Sequence, residues 1–239
     1  MITRGYFVEN QNSSTDWSSV SATLAVGDTV VVNVRWFSAT VTISSLTIAG
    51  NSNPTAQGST QVGGPDNGRS AWYVLSNVTS AGSKAITSGL SASCPNGLVA
   101  WVLSGADTAG ATDAVNGGSG SAANPSISLS TNQANSAIFA MLLCDLDNPT
   151  EGSGYTLDPT TNVQYYEEAE YMLDAGSAAA KTVNYGHATT TSWGLNAIAI
   201  KAAGGAAQSQ ARGGIALSAI SAINGITKSS ISAINGLTI

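Results

Sequence analysis

Apolar residues in this chain recur every second position over short stretches. Val20-Ser21-Ala22-Thr23-Leu24 alternates, Gly27-Asp28 turns the chain, and Thr29 to Phe37 is rich in β-branched and aromatic residues, which is a strand pattern. Val30, Val32, Val34 and Trp36 are predicted to share one face and pack inward. Thr40 to Ile43 and Leu46 to Ile48 follow as a further strand or pair. Ser70 to Asn77 is predicted as a strand with Tyr73 opposite Trp72 and Val74, and Lys84 to Thr87 as a short one. Gly97 to Leu103 is apolar on both faces, as a central strand of a layered structure should be. Ser126 to Ser130, Ser136 to Cys144, Lys181 to Tyr185 and Trp193 to Lys201 resume the pattern. Val163 to Leu173 fits helix or strand; the shared parity of Val163, Tyr165, Ala169, Tyr171 and Leu173 favours strand.

Two polar, glycine-containing segments, Thr55 to Arg69 and Thr108 to Pro125, lack a period and are expected as surface loops. The sum is about ten strands with turn signals between them, so the predicted fold is an all-β antiparallel sandwich or jelly roll over residues 1–203. Residues 204–214, rich in Gly, Ala and Gln, read as a flexible linker. Residues 215–239 then hold a repeat: Ile220-Ser221-Ala222-Ile223-Asn224-Gly225-Ile226-Thr227 returns as Ile231-Ser232-Ala233-Ile234-Asn235-Gly236-Leu237-Thr238. Asn-Gly between apolar residues is a strong short-range hairpin signal, because a two-residue type I′ turn needs positive φ at both central positions. A short apolar hairpin is marginal by itself and needs a partner surface. Ile220, Ile223, Asn224, Gly225, Ile226, Ile231, Ile234, Asn235, Gly236 and Leu237 are therefore the expected assembly interface. A helix with Ile220, Ile223 and Ile226 on one side is the weaker alternative, because of the glycines.

Charged residues make up 9% of the chain, against roughly 25% in an average domain, so the surface must be built from hydroxyls, amides and glycine. A hydrophobic content of 43% with five Trp argues for a folded chain. The net charge of −6, with scattered Lys and Arg, gives no basic stripe for nucleic acid. The longest apolar runs fall short of a spanning helix, so no membrane insertion is expected. The first residues lack the apolar core of a signal peptide, and synthesis in a cytoplasm is expected.

Few residues could carry chemistry. His187 is the one histidine, and with no nucleophile elbow in the chain it reads as a solvated loop residue. Cys94, in a Pro/Asn/Gly loop, and Cys144, in an apolar strand, read as two thiols, with a disulfide as the alternative. Together with His187 they match no zinc pattern. Glu167, Glu168 and Glu170 offer carboxylates of the glycosidase kind, but Glu168 and Glu170 on one side of a strand read as a solvated face. Asp145, Asp147, Asn148 and Glu151 form an oxygen-rich segment in which an ordinary turn is favoured over a calcium site. Trp36, Trp72, Trp101 and Trp193 lie within apolar strands and read as core; Trp17 stands apart in a polar setting. No catalytic residue, metal or cofactor is expected.

The succession of a strand, Leu103-Ser104-Gly105-Ala106-Asp107-Thr108, a Ser/Gly-rich segment, Leu129-Ser130-Thr131, a long apolar strand and the closing Trp193 to Lys201 strand resembles the β-sandwich domains of tailed-bacteriophage virion proteins. The Ile-Ser-Ala-Ile-Asn-Gly repeat resembles short Ile/Gly repeats at the ends of phage tail and fibre proteins. The resemblance implies a non-enzymatic, multi-copy virion component assembled in the host cytoplasm. A tail-fibre or tail-tip protein presenting binding loops to the host is the leading expectation. A capsid decoration (cement or head-fibre) protein is the alternative, and a lectin or glycan-cleaving tailspike-like enzyme the more distant one. The partners it implies are copies of the same chain, as a trimer, other virion proteins of tail or capsid, and a host surface glycan or receptor.

Overall fold

The computed structural model describes residues 1–144, 149–158, 160, 166–187 and 189–204, and the pairs 222–223, 226–227, 233–234 and 237–238. The chain divides into two units, Met1–Ala203 and Gly204–Ile239. The first is all-β and antiparallel. One six-stranded sheet holds β1 (Thr3–Leu24), β2 (Thr29–Phe37), β3 (Ile43–Ile48), β4 (Thr55–Val62), β5 (Gly68–Leu75) and β6 (Gly82–Ser104) in the order β1-β6-β2-β5-β4, with β3 also on β6. A second, five-stranded sheet uses β7 (Thr112–Ala122), β9 (Ala137–Cys144), β10 (Thr156–Asp158), β11 (Tyr166–Met172) and β13 (Thr191–Ile200), in the order β10-β11-β9-β13-β7. Interspersed in sequence with the strands of the second sheet, β8 (Ser126–Ser130) and β12 (Ala180–Asn184) pair with each other.

The alternation of each strand sorts its side chains into three apolar layers. In β2 every residue is buried: Val30, Val32, Val34 and Trp36 share one face as expected, while Val31 and Phe37 join Trp72, Trp101, Phe139 and Met141 between the two sheets. There Trp101 lies 5.7 Å from Trp72 and 5.2 Å from Phe139, ring centroid to ring centroid, an aromatic spine spanning the sandwich. The third layer lies on the far side of the second sheet, where Leu129, Val183 and Tyr185 cover Ile138, Ala140, Leu142, Leu195 and Ala197.

The outer face of β2 is covered by a device not visible in the alternation. β1 and β6 pair along their whole lengths, but the register shifts twice between Asn12 and Trp17. Bulges bend a strand and raise its twist, and strands that turn a corner in this way let one sheet form two layers. Beyond the bend, Val20, Ala22 and Leu24 of β1, Ile86 and Leu90 of β6, and Leu46 and Ile48 of β3 pack in one cluster with Val30, Val34, Trp36, Leu98 and Ala100. The ribbon thus covers the sheet it belongs to.

Several expectations are corrected. The supposed loop Thr55 to Arg69 contains β4, and Thr108 to Pro125 contains β7. Both are edge strands with partners on one side, and neither needs an apolar period. The segment before Val20, given no strand, is the first half of β1. Lys84 to Thr87 and Gly97 to Leu103 belong to one strand, β6, so Cys94 sits in a strand rather than a loop. The body has thirteen strands among its described residues. Val163 to Leu173 does hold a strand, β11, with Ala169 and Tyr171 turned toward the inter-sheet layer.

The glycines behind the loop expectations serve close packing. Gly63, after β4, crosses β13 so closely that a Cβ there would lie 2.7 Å from the Trp193 carbonyl and 2.8 Å from Gly194 Cα; a Cβ on Gly194 would meet the Gly63 backbone at 2.9 Å. Backbone atoms cannot step aside, so Gly194→Ala is expected to destabilise the body by about 1–3 kcal/mol, the cost of overpacking. Gly110→Ala, whose Cβ would find nothing nearer than Lys201 Nζ at 4.0 Å, should stay within about 0.5 kcal/mol. Urea melts of the two variants check this contrast.

Candidate functional site

The acidic strand β11 is flanked by β10 and β9 and covered on both faces. Glu167 turns into the inter-sheet layer, where it is fully buried and pairs with the equally buried Arg35 of β2. Glu9 of β1 reaches the same guanidinium at 3.5 Å. Burial lowers the Arg35 pKa to about 10 against the opposing pull of Glu9. Arg35 fits because its cross-strand neighbour is Gly97: a Cβ there would lie 2.7 Å from Arg35 Cζ. Alongside, Asp158 of β10 pairs with Arg4 and accepts a hydrogen bond from Trp101 Nε1 at 2.7 Å, and Arg4 lies 4.1 Å over the Tyr171 ring. Asn196 Nδ2 donates to Ser70 across the same space at 3.3 Å. These contacts form a polar seam that ties the two sheets together.

Glu168 and Glu170 do point to one side, but that side is not solvated. Glu170 is fully buried beside Tyr155 and Tyr185, and its Oε2 accepts the Gly152 N–H at 2.9 Å. Burial pushes its pKa up to about 8, against the lowering effect of the Gly152 hydrogen bond. Glu168 is half-buried and accepts a hydrogen bond from Thr160 at 3.3 Å. The expectation of a solvated acidic face is therefore wrong: β11 is an interior strand in which Glu167 is matched to Arg35 and burial holds Glu170 against ionisation. Glu167 and Glu170 lie on opposite faces, so they cannot flank one glycosidic bond.

The other candidates stay separate. His187 is half-buried, its Nδ1 3.1 Å from the Thr189 carbonyl. Cys94 and Cys144 are buried in different apolar layers, and no disulfide joins them. Asp145, Asp147 and Asn148 lie outside the described residues. Among the described residues no group of three or more His, Cys, Asp or Glu could hold a metal, and no helix is long and apolar enough to cross a membrane. A shallow recess beside Tyr6, Leu24 and Val102 includes Asp28, whose carboxylate accepts the Ala25 N–H of the β1–β2 turn.

Of the tryptophans, Trp36, Trp72, Trp101 and Trp193 are buried and Trp17 is 54% exposed, as their settings suggested. Trp17 sits at the bend in β1, at one end of the face that the covering ribbon turns to solvent. Its row runs Trp17, Gly89, Ser45 across β1, β6 and β3, and the next runs Ser19, Thr87, Thr47. Ser19 Oγ and Thr87 Oγ1 are 2.9 Å apart on that face.

In the second unit, Ala222–Ile223 pairs with Ile226–Thr227, and Ala233–Ile234 with Leu237–Thr238, both antiparallel and both two residues apart. The strand pairs flank Asn224-Gly225 and Asn235-Gly236, where hairpin turns are expected. Ile220, Asn224, Gly225, Ile231, Asn235 and Gly236 lie outside the described residues. Of the residues expected at the assembly interface, Ile223 pairs with Ile226 and Ile234 with Leu237 within the chain.

No family model matches the chain, and no curated protein or solved structure matches it.

Arg35→Met would leave Glu9 and Glu167 without their shared cation, which should cost about 3–5 kcal/mol. Adding Glu167→Gln should recover part of the loss; urea unfolding of both variants measures it. Glu170 has a pKa above its unfolded value of 4.5, so ionisation is disfavoured in the folded state. Its effect is absent below about pH 4.5, grows as the unfolded chain ionises, and levels off above about pH 8. Glu170→Gln, which keeps an acceptor for Gly152, should match the parent near pH 4 and exceed it by a few kcal/mol near pH 8–9. Denaturation midpoints across that range check this.

Proposed function

We propose that this chain is a non-enzymatic structural protein of a tailed-bacteriophage virion: a tail-fibre or tail-tip component whose body presents a binding surface and whose C-terminal repeat docks it. The observation that carries the reading is the division at Ala203. On one side stands a body whose three apolar layers are closed within residues 1–203. On the other are two strand pairs of identical register, too short to be stable alone.

In this reading the body works as a rigid carrier, and the isoleucine-rich repeat completes itself on other chains. Copies of the chain can pair their hairpin edges around a common axis, and the repeat can also add strands to a neighbouring protein's sheet. Both routes bury Ile223, Ile226, Ile234 and Leu237. The charge-poor composition suits a particle surface of hydroxyls and amides, and the acidic residues of β11 belong to the interior rather than to a substrate cleft.

Removing residues 214–239 should leave a folded, soluble body with an unchanged melting temperature. It should abolish self-association by light scattering and incorporation into particles by virion proteomics. A truncated chain that assembles like the parent would overturn the docking role. Immunogold label on the tail is expected; label on the head would replace the tail assignment with capsid decoration.

A further inference from the structure

We infer that the outward face of the β1–β6–β3 ribbon is a binding site for an uncharged saccharide, with Trp17 as the stacking platform. The inference names the ligand class of the attachment reading above and rests on it for the biological source of the ligand, not for the chemistry of the face.

Trp17, 54% exposed, turns a large flat apolar surface with a polar N–H toward solvent. Here the exposure is built in. Trp17 follows the double register shift that bends β1, and its backbone is tied down: its carbonyl accepts hydrogen bonds from Thr15 Oγ1 at 2.6 Å and Asn12 Nδ2 at 3.3 Å. The buried Asn96 amide in turn donates to the Thr15 carbonyl at 2.8 Å. The indole is thus carried on a rigid mount rather than on a mobile loop. Rigid aromatic side chains bind with little entropy loss.

The ground beside the indole is flat and hydroxylated. Gly89, directly across from Trp17, is overlain by hydroxyls: a Cβ there would lie 2.6 Å from Ser45 Oγ and 3.1 Å from Ser44 Oγ, so both serines reach over it beside the indole. In the next row Ser19, Thr87 and Thr47 place hydroxyls side by side. Each hydroxyl both donates and accepts, which matches the mixed donor and acceptor pattern of sugar hydroxyls. The indole supplies the apolar plane against which the C–H face of a pyranose ring packs.

Charge narrows the ligand further. The two rows contain no ionisable residue, and the protein carries a net charge of −6. Phosphate, sulfate or carboxylate groups are held by Arg or Lys forks, and none stands in these rows. An extended peptide seeks a strand edge or side-chain pockets, whereas this is a flat face. A protein interface of ordinary size needs an apolar centre of several large residues over about 800 Å² per partner, and here one indole stands among hydroxyls. A neutral glycan satisfies all of these conditions.

The test applies the full-length chain to a microarray of neutral hexose and N-acetylhexosamine oligomers beside sialylated, uronate and sulfated ones, and measures the affinity of the strongest ligands by calorimetry. Binding should be confined to the neutral set. Trp17→Ala should weaken it at least about tenfold, as loss of a central aromatic anchor does, and Trp17→Phe should restore most of it. Thr47→Glu, at an exposed position of the second row, should also weaken it, with all melting temperatures unchanged. Absence of neutral-glycan binding, preference for the acidic set, or full affinity in Trp17→Ala would overturn the inference. Particle incorporation reads the attachment proposal separately: saccharide binding can fail while incorporation holds, and the reverse.

Discussion

Burial of β2 and the second half of β6 on both faces is the constraint that shapes this molecule. A strand with Val, Leu and Trp on each side cannot lie on a surface, so two covering layers are required. The second sheet supplies one. The other comes from the same sheet, because β1 and β6 extend past the edge of the core and bend back over it at the Asn12–Trp17 bulge. The bend that closes the core also creates the one fully solvent-facing layer of this ribbon and sets Trp17 at its end. The site inferred for saccharide is therefore a by-product of the device that makes the fold.

The scarcity of charge acquires a different meaning once its placement is seen. Arg35, Glu167, Asp158 and Glu170 are all buried, while the exposed rows of the ribbon are hydroxyl and glycine. Buried ion pairs contribute little net stability, since desolvation offsets attraction, but breaking one is costly. Their use here is positional. Arg35 answers Glu9 within its own sheet and Glu167 across the interface, so a one-residue slip of either sheet would leave a buried charge unmatched. Gly97 makes room for the guanidinium, which links the electrostatic match to the strand register.

Much of this was legible in the sequence wherever burial was one-sided or complete. The parity of Val30 to Trp36 and the strand state of β11 followed from alternation, the central place of Gly97 to Leu103 from its apolar residues on both faces, and the separate standing of Trp17 from its polar setting. The edge strands β4 and β7 were not legible, because a strand with one partner needs no apolar face and its glycines imitate loop punctuation. Glu168 and Glu170 were misplaced for a related reason: parity tells which residues share a face, not whether that face is covered. Arg35, the one charged residue of β2, was the available signal, since a buried cation requires an acid opposite. The partner acids, Glu9 and Glu167, come from strands far apart in sequence, and no local pattern connects them.

Native-state hydrogen exchange on the intact chain tests the two-faced core most directly. Amides of Val30 to Trp36 and Leu98 to Val102 should exchange only through global unfolding, with those of Val20 to Leu24 and Ile86 close behind because they form the cover, and those of β4 and β7 far faster. Exchange of the β2 amides at the rate of the edge strands, or early release of Val20 to Leu24 with the core still protected, would contradict a core closed by its own folded-back ribbon.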